Sequence, residues 1–266
     1  PGCQTVGVDR QRQQQRRRSG LFIAQPLLFQ QLNLTQQQAV RLAIAEMRKL
    51  WTTLNELTPE WQHDLLLDAI PQLAARYGDI AGAAAAEWYE ATRLENTGAA
   101  FDALTYGSFS PDAIKGSIDA KAYPMIISGN PQQAFDFLTG AMQRWIRYVG
   151  RQTIARNCQH DPFKPRWARV PSGAKTCAWC EMLCSRGFVY YSKETAGALA
   201  HWHDECDCSI VPEWEKDDTH IAGYDPDLYY SRYKAAWDAA GGYGATDAQV
   251  THWMRVLNPG AYTDNA

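Results

Sequence analysis

Residues 130–157 read NPQQAFDFLTGAMQRWIRYVGRQTIARN. Asn130–Pro131 is a helix opening, because proline at the first helical position gives up an N–H that has no partner there anyway. Behind it Phe135, Leu138, Met142, Trp145, Val149 and Ile154 return every three to five residues, the spacing of one buried helix face. Gly140 and Gly150 lower helix propensity, and the expected compensation is close approach by a neighbouring helix. A helix this long needs partners, and the residues before it supply them.

Thr35 with Gln38 forms a capping-box pattern, followed by Val40, Ala43, Met47, Leu50, Leu54 and Leu57 at helical spacing. Thr58–Pro59 restarts a helix with Trp61, Leu65 and Ala69 on its face, and Pro71 is expected to interrupt it. A further helix then carries Ile80, Ala84, Trp88, Ala91 and Leu94. Residues 96–130 are richer in Gly, Ser and Pro, with a short helix after Ser110–Pro111. From Asn157 to Lys175, Pro162, Pro165 and Pro171 mark a linker or a docked extended segment, and the domain boundary is placed there. Beyond it Phe188–Tyr191 and Ser209–Val211 read as short strands. Helices follow at Asp225–Pro226 and at the capping box Thr246–Gln249. The fold class is therefore mainly α. Residues 1–30 form a basic arm without folded structure or a mis-assigned start, and residues 31–158 a helical domain. Residues 159–266 form a small α+β Cys/His-rich module with C-terminal helices.

Composition narrows the function. The chain has 266 residues, 45% of them hydrophobic, enough for a substantial core. Its formal charge is −3, yet residues 1–20 carry five Arg against one Asp, so the remainder is acidic and offers no broad DNA-wrapping surface. No run of 18 apolar residues is present, so no membrane contact is expected, and nothing resembles a secretory signal. Seven Cys in a chain read as intracellular point to metal or free thiols before disulfides.

Five of those Cys and two His fall between residues 177 and 208. Cys177-x2-Cys180 puts two thiolates on one side of a tight knuckle, and His203-x2-Cys206-x-Cys208 offers a second arm. Sulfur and imidazole donors in a small segment with little core of its own suit a structural zinc ion, whose binding supplies folding energy. The metal-ligating candidates are Cys177, Cys180, His203, Cys206 and Cys208. Cys206 and Cys208 are expected to compete for one position, with His201 and Cys184 in reserve. Disulfides and metal-free reduced thiols are the alternatives. No catalytic residue is assigned. A zinc-hydrolase His-Glu-x2-His and a Gly-x-Ser-x-Gly are both absent. The alternative to a structural role is Cys/His protease chemistry at Cys177 and His203.

Three stretches carry a family resemblance: Trp167–Gly173 (WARVPSG), Thr176–Cys180 (TCAWC) with Ser185–Arg186–Gly187, and His203–Cys208 (HDECDC) before Val211–Pro212. Together they resemble the VG15-type minor capsid proteins of phages infecting actinobacteria, and more distantly the MuF family, whose C-terminal module ends in His-x2-Cys-x-Cys. Ala85–Tyr89 and Gly140–Asn157 are similar to the family's helical region, and the resemblance runs from about residue 33 to about residue 258. It implies a component of the virion, present in the host cytoplasm during assembly. It implies association with the portal, with the major capsid or scaffolding protein as a further partner, and action in head morphogenesis or DNA packaging and delivery. DNA contact has weak support, from the basic segment 164–175. A capsid maturation protease is the alternative implied activity.

Overall fold

The computed structural model describes residues 5–173, 175–189, 206, 208–214, 221 and 224–264, with side chains from Leu27 onward. Three long helices dominate: α1 (Thr5–Leu54), α2 (Pro59–Thr97) and α5 (Pro131–His160). Between α2 and α5 lie the short helices α3 (Pro111–Ser117) and α4 (Tyr123–Ile127), joined by one π-helical stretch, Ile118–Ala122. The second half holds strand β1 (Arg166–Val170), helix α6 (Ala178–Cys184), strand β2 (Ser209–Glu213), and helices α7 (Pro226–Ala239) and α8 (Asp247–Leu257). No described helix is long and apolar enough to cross a membrane.

The chain chemistry accounts for the helix ends. At the C-terminus of α1, Gln62 turns back and its amide donates to the carbonyls of Leu54 and Leu57 at 2.9 Å each, satisfying oxygens that the helix itself leaves unpaired. α2 starts on Pro59 and stops at Gly98, whose φ of 71° lets its N–H reach the carbonyl of Leu94. Ser110 caps α3, Asp225 caps α7, and Thr246 and Gln249 exchange bonds across the first turn of α8.

Two readings of the helices are corrected. α1 runs from Thr5, so Thr35 lies inside it and caps nothing. Gln and Arg are strong helix formers, and their lack of an apolar stripe speaks to packing rather than to backbone conformation. Pro71 does not interrupt α2, which runs 39 residues through it. A proline removes one backbone bond, and the buried neighbours Leu66, Ile70, Leu73 and Ala74 hold the helix together across that gap. The buried face is also rotated from the expected one: Trp88 is buried as read, but Trp61, Ile80 and Leu94 are exposed, while Tyr77, Ala81, Ala85 and Tyr89 are buried.

The core of the bundle joins Val40, Ala43, Met47 and Leu54 of α1 to Leu66, Ile70 and Ala81 of α2 and to Leu138, Met142 and Trp145 of α5. Glycines let the helices close. A Cβ on Gly78 or Gly82 would lie 2.9 or 3.1 Å from the Val149 side chain, and one on Gly150 would lie 2.4 Å from Gln36 Nε2. A second core continues from Phe29, Leu32, Trp88, Tyr89 and Ile154 straight into Trp167, Val170, Ile210 and five cysteines of the second half. Around residue 158 the architecture changes while the packing stays continuous. A third core lies between α6, α7, α8 and Tyr262.

β1 and β2 pair antiparallel, Arg166 with Glu213 through Val170 with Ser209. Ser209–Val211 is thus a strand, as read from the sequence. Its partner is Arg166–Val170, inside the segment read as a linker or a docked extended stretch. Flanking prolines hid it, and four of its five residues are buried, which erases the in–out alternation that identifies a strand. Phe188 and Val189 lie outside regular structure, and residues 190–191 are outside the described part.

Candidate metal centre

Cys177, Cys180 and Cys184 are spaced by three and four residues, so α6 presents all three sulfurs on one side. Cys177 is the N-cap of that helix, and its Sγ accepts from the Cys180 N–H at 3.2 Å. The opposite face of α6, Ala178 with Met182 and Leu183, packs on Val250 and Met254 of α8 and Ala236 of α7. A seven-residue helix is thereby held between two cores.

The second arm arrives with β2. Cys206 and Cys208 lie just before Ser209, the first residue of that strand. Both bring their sulfurs up to those of α6. Cys180 Sγ lies 3.4 Å from Cys206 Sγ, and Cys184 Sγ lies 3.7 Å from Cys208 Sγ. Donor atoms of Cys180, Cys206 and Cys208 all fall within 4.8 Å of one another. In a tetrahedral site with metal–sulfur bonds of about 2.3 Å, sulfurs stand roughly 3.8 Å apart, so the spacing suits a thiolate-bound ion. It is far too long for a disulfide, at about 2.05 Å. All five thiols are buried, and none is joined to another by a disulfide. Cys184, held in reserve on the sequence, belongs to the cluster. His201 and His203 lie outside the described residues.

Crowding and burial push the cluster thiols up, and a buried cation in the wall acts against that rise. Arg151 of α5 and Arg169 of β1 are 2% and 1% exposed, two fixed positive charges in the wall of a thiol cluster. Arg151 donates from Nε to the Cys208 carbonyl at 2.8 Å and from Nη2 to the Cys206 carbonyl at 2.7 Å. Burial pushes the Cys184 thiol up, as does neighbouring Cys208, while the Arg169 charge pulls it down. The Cys180 thiol is raised first by Cys177, then by Cys206 and Cys208, since protons are shared among crowded sulfurs. A cation would relieve that crowding by taking their place. The residues therefore can hold a metal ion.

Neither arginine was recognised as part of the site from sequence, although both lie in quoted motifs. α5 is buried on nearly every side from Trp145 to Cys158, so a charged residue there carries no signature of exposure.

A second polar node fixes the module to the bundle. Asp161, at the end of α5 and fully buried, accepts from Arg93 Nε at 2.7 Å, Tyr89 Oη at 3.0 Å, Trp214 Nε1 at 3.0 Å and the Phe163 N–H at 2.9 Å. Burial alone would raise this carboxyl, but those donors together hold it below its ordinary value. Beyond α6, Glu181 accepts from Tyr262 and pairs with Arg232.

The profile of the VG15 protein family matches residues 25–236. The chain belongs to the VG15 family. Two mycobacteriophage proteins, each called Gene 15 protein, are similar to it. The one from phage D29 is 32% identical over 117 residues, covering 32% of this chain and 42% of the relative. The one from phage L5 is 26% identical over 196 residues, covering 59% and 66%. The chain thus spans less than two thirds of either relative. No solved structure matches. This VG15-family chain is a phage-encoded protein whose family match includes both arms of the thiol cluster.

Proposed function

We propose that this protein is a minor head protein that associates with the portal and acts in head assembly or in DNA packaging and delivery. In this reading it is non-catalytic, and its C-terminal module is clamped by a structural zinc ion. The observation that carries the clamp is the convergence of five buried thiols beside two buried guanidinium groups. Borderline-soft zinc in an S-rich tetrahedral site is the common chemistry for such a donor set. The head role rests on the resemblance of the Arg-Val-Pro, Cys-x2-Cys and His-x2-Cys-x-Cys segments to minor capsid proteins, within a family whose named relatives come from phages.

The absence of catalysis is argued from the same thiols. A nucleophilic cysteine needs an accessible, easily ionised thiol, whereas Cys180 and Cys184 are enclosed and shifted upward. Cys177 is only 7% exposed and is engaged as a helix cap.

Two measurements test this reading. Elemental mass spectrometry of the reduced, purified chain should find about one zinc per chain, lost in Cys180→Ser. Peptide mass spectrometry of purified particles from the encoding phage should find this protein at low copy, co-purifying with the portal. Metal-free protein would remove the clamp, and absence from both procapsids and virions would remove the head role. Arrest of major capsid protein processing by Cys177→Ser, with the fold intact, would replace both with protease chemistry.

A further inference from the structure

Away from the thiols, the outer face of α5 forms one wall of a cavity of about 580 Å³, opposite the extended segment 106–110. Arg144, Tyr148, Gln152 and Arg156 line it at intervals of four residues, one aligned row on the helix. Tyr106 and Phe109 stand across from them, and no Asp or Glu lines the space. The aromatic rings are held in place. Phe109 meets Tyr148 edge-on at 5.0 Å, Tyr106 stacks on His160 at 6.1 Å, and Arg156 lies 4.9 Å above the Tyr106 ring.

Gln152 is the informative residue. It is 5% exposed, it lines the cavity, and its amide makes no hydrogen bond to any described residue. Its amide opens onto the cavity, where a ligand that supplies both a donor and an acceptor would pair it.

We propose that this cavity binds unpaired nucleotides of a single-stranded nucleic acid. Arg144 and Arg156 are 12 residues apart, about 18 Å along the helix, too far to share one phosphate. They suit separate phosphates of a strand, whose stacked nucleotides advance about 3.4 Å each. Between them the Tyr148 ring offers a face for a base, and the Gln152 amide matches the paired donor and acceptor of a base edge. The volume lies within the range of about 300–1,000 Å³ usual for small-ligand sites, enough for a base to enter. The inference does not depend on the head role or on the metal.

The test is fluorescence anisotropy of labelled 15-nucleotide dT and dA strands with the full chain across a salt series. Binding is expected, weakened about tenfold by Tyr148→Ala. Arg144→Ala and Arg156→Ala should each weaken it and lower the slope of log affinity against log salt by about 0.7. Gln152→Leu should weaken binding with the slope unchanged, which a merely electrostatic surface would not show. Circular dichroism checks the fold. Should Gln152→Leu misfold, the exposed Arg156 still decides the matter. No binding, or equal binding by all variants, overturns the proposal. So does equal preference for a 15-base-pair duplex or for dextran sulfate. Displacement of the strand by free dAMP or dTMP at equal molar affinity overturns it in favour of a mononucleotide site.

Discussion

The Arg151 guanidinium spans the two cysteines of the second arm, donating to the carbonyls of Cys206 and Cys208 at 2.7 and 2.8 Å. One side chain on the central helix α5 thus holds the two sulfur-bearing residues in place. Ser209 Oγ, donating to Asn33 Oδ1 at 3.0 Å, extends the same fastening to α1. Arg151→Met keeps the bulk and leaves two carbonyls without their donor. Each orphaned group costs about 1–3 kcal/mol, so the variant should lose about 2–6 kcal/mol. Zinc affinity, measured by competition with a chromophoric chelator, should fall about 10–100-fold, the usual consequence of losing a group that positions ligands. An unchanged affinity would mean that the arm is rigid without Arg151.

Chelation should couple metal loss to thiol exposure. In the folded chain the five cluster thiols and Cys158 are all buried, and Cys158 is pushed up further by burial. Maleimide labelling followed by intact mass should therefore leave these six unmodified. After chelator treatment the cluster thiols should label together, with Cys158 last, since it packs against the helices through Ile154 and Tyr89 rather than through the metal arm. Cys180→Ser and Cys206→Ser should remove the zinc and with it the chelator effect. Rapid labelling of one cluster thiol in the loaded protein would contradict a closed structural site.

Long stripes were legible and their exact faces were not. The α5 row from Phe135 to Ile154 is buried as its spacing requires, because α5 is central and any apolar stripe on it finds a partner. α2 contacts neighbours through small residues, Gly78, Ala81, Gly82 and Ala85, which carry little weight in a hydrophobic pattern, so its face was set by exposed Trp61 and Ile80 instead. The cysteine arms were legible from spacing. Cys184 entered the cluster only because α6 continues one turn past the knuckle, and the arginine wall needed tertiary structure. Asp161 and Arg93 lie 68 residues apart, and no local pattern joins them.

That pair gives the next prediction. Arg93 and Asp161 are both buried, with side chains 4% and 0% exposed, and breaking such a pair costs about 3–5 kcal/mol. Asp161→Asn keeps the shape, removes the charge and turns one acceptor into a donor facing Trp214 and Arg93. Urea unfolding at pH 7 should show the loss. The pH dependence follows from the sign of the shift. The carboxyl is held below its ordinary value of 3.8, so its contribution is fully present above that value and fades as pH falls through the lower folded value. The stability gap between wild type and Asp161→Asn should therefore be flat from pH 7 to pH 5 and shrink below about pH 3.8. A gap that widened in acid would reverse the assignment of Asp161 as the charged partner.

Two glycines separate packing from propensity. In Gly150→Ala the new methyl would stand 2.4 Å from Gln36 Nε2 and 3.2 Å from the Ala81 carbonyl oxygen. The glutamine can swing aside but the α2 backbone cannot, so the α1–α2–α5 junction must open. Overpacking of this kind costs about 1–3 kcal/mol, and the helix propensity gained, up to about 1 kcal/mol, offsets only part of it. Gly116→Ala, in the exposed part of α3, meets nothing within 4 Å and keeps a helical backbone, so it should stabilise by about 0.4–1 kcal/mol. Thermal unfolding of the pair reads both signs at once. Should Gly150→Ala raise the midpoint as Gly116→Ala does, the three long helices would not be packed at the distance described, and the route from α1 and α5 to the cysteine arm would have to be redrawn.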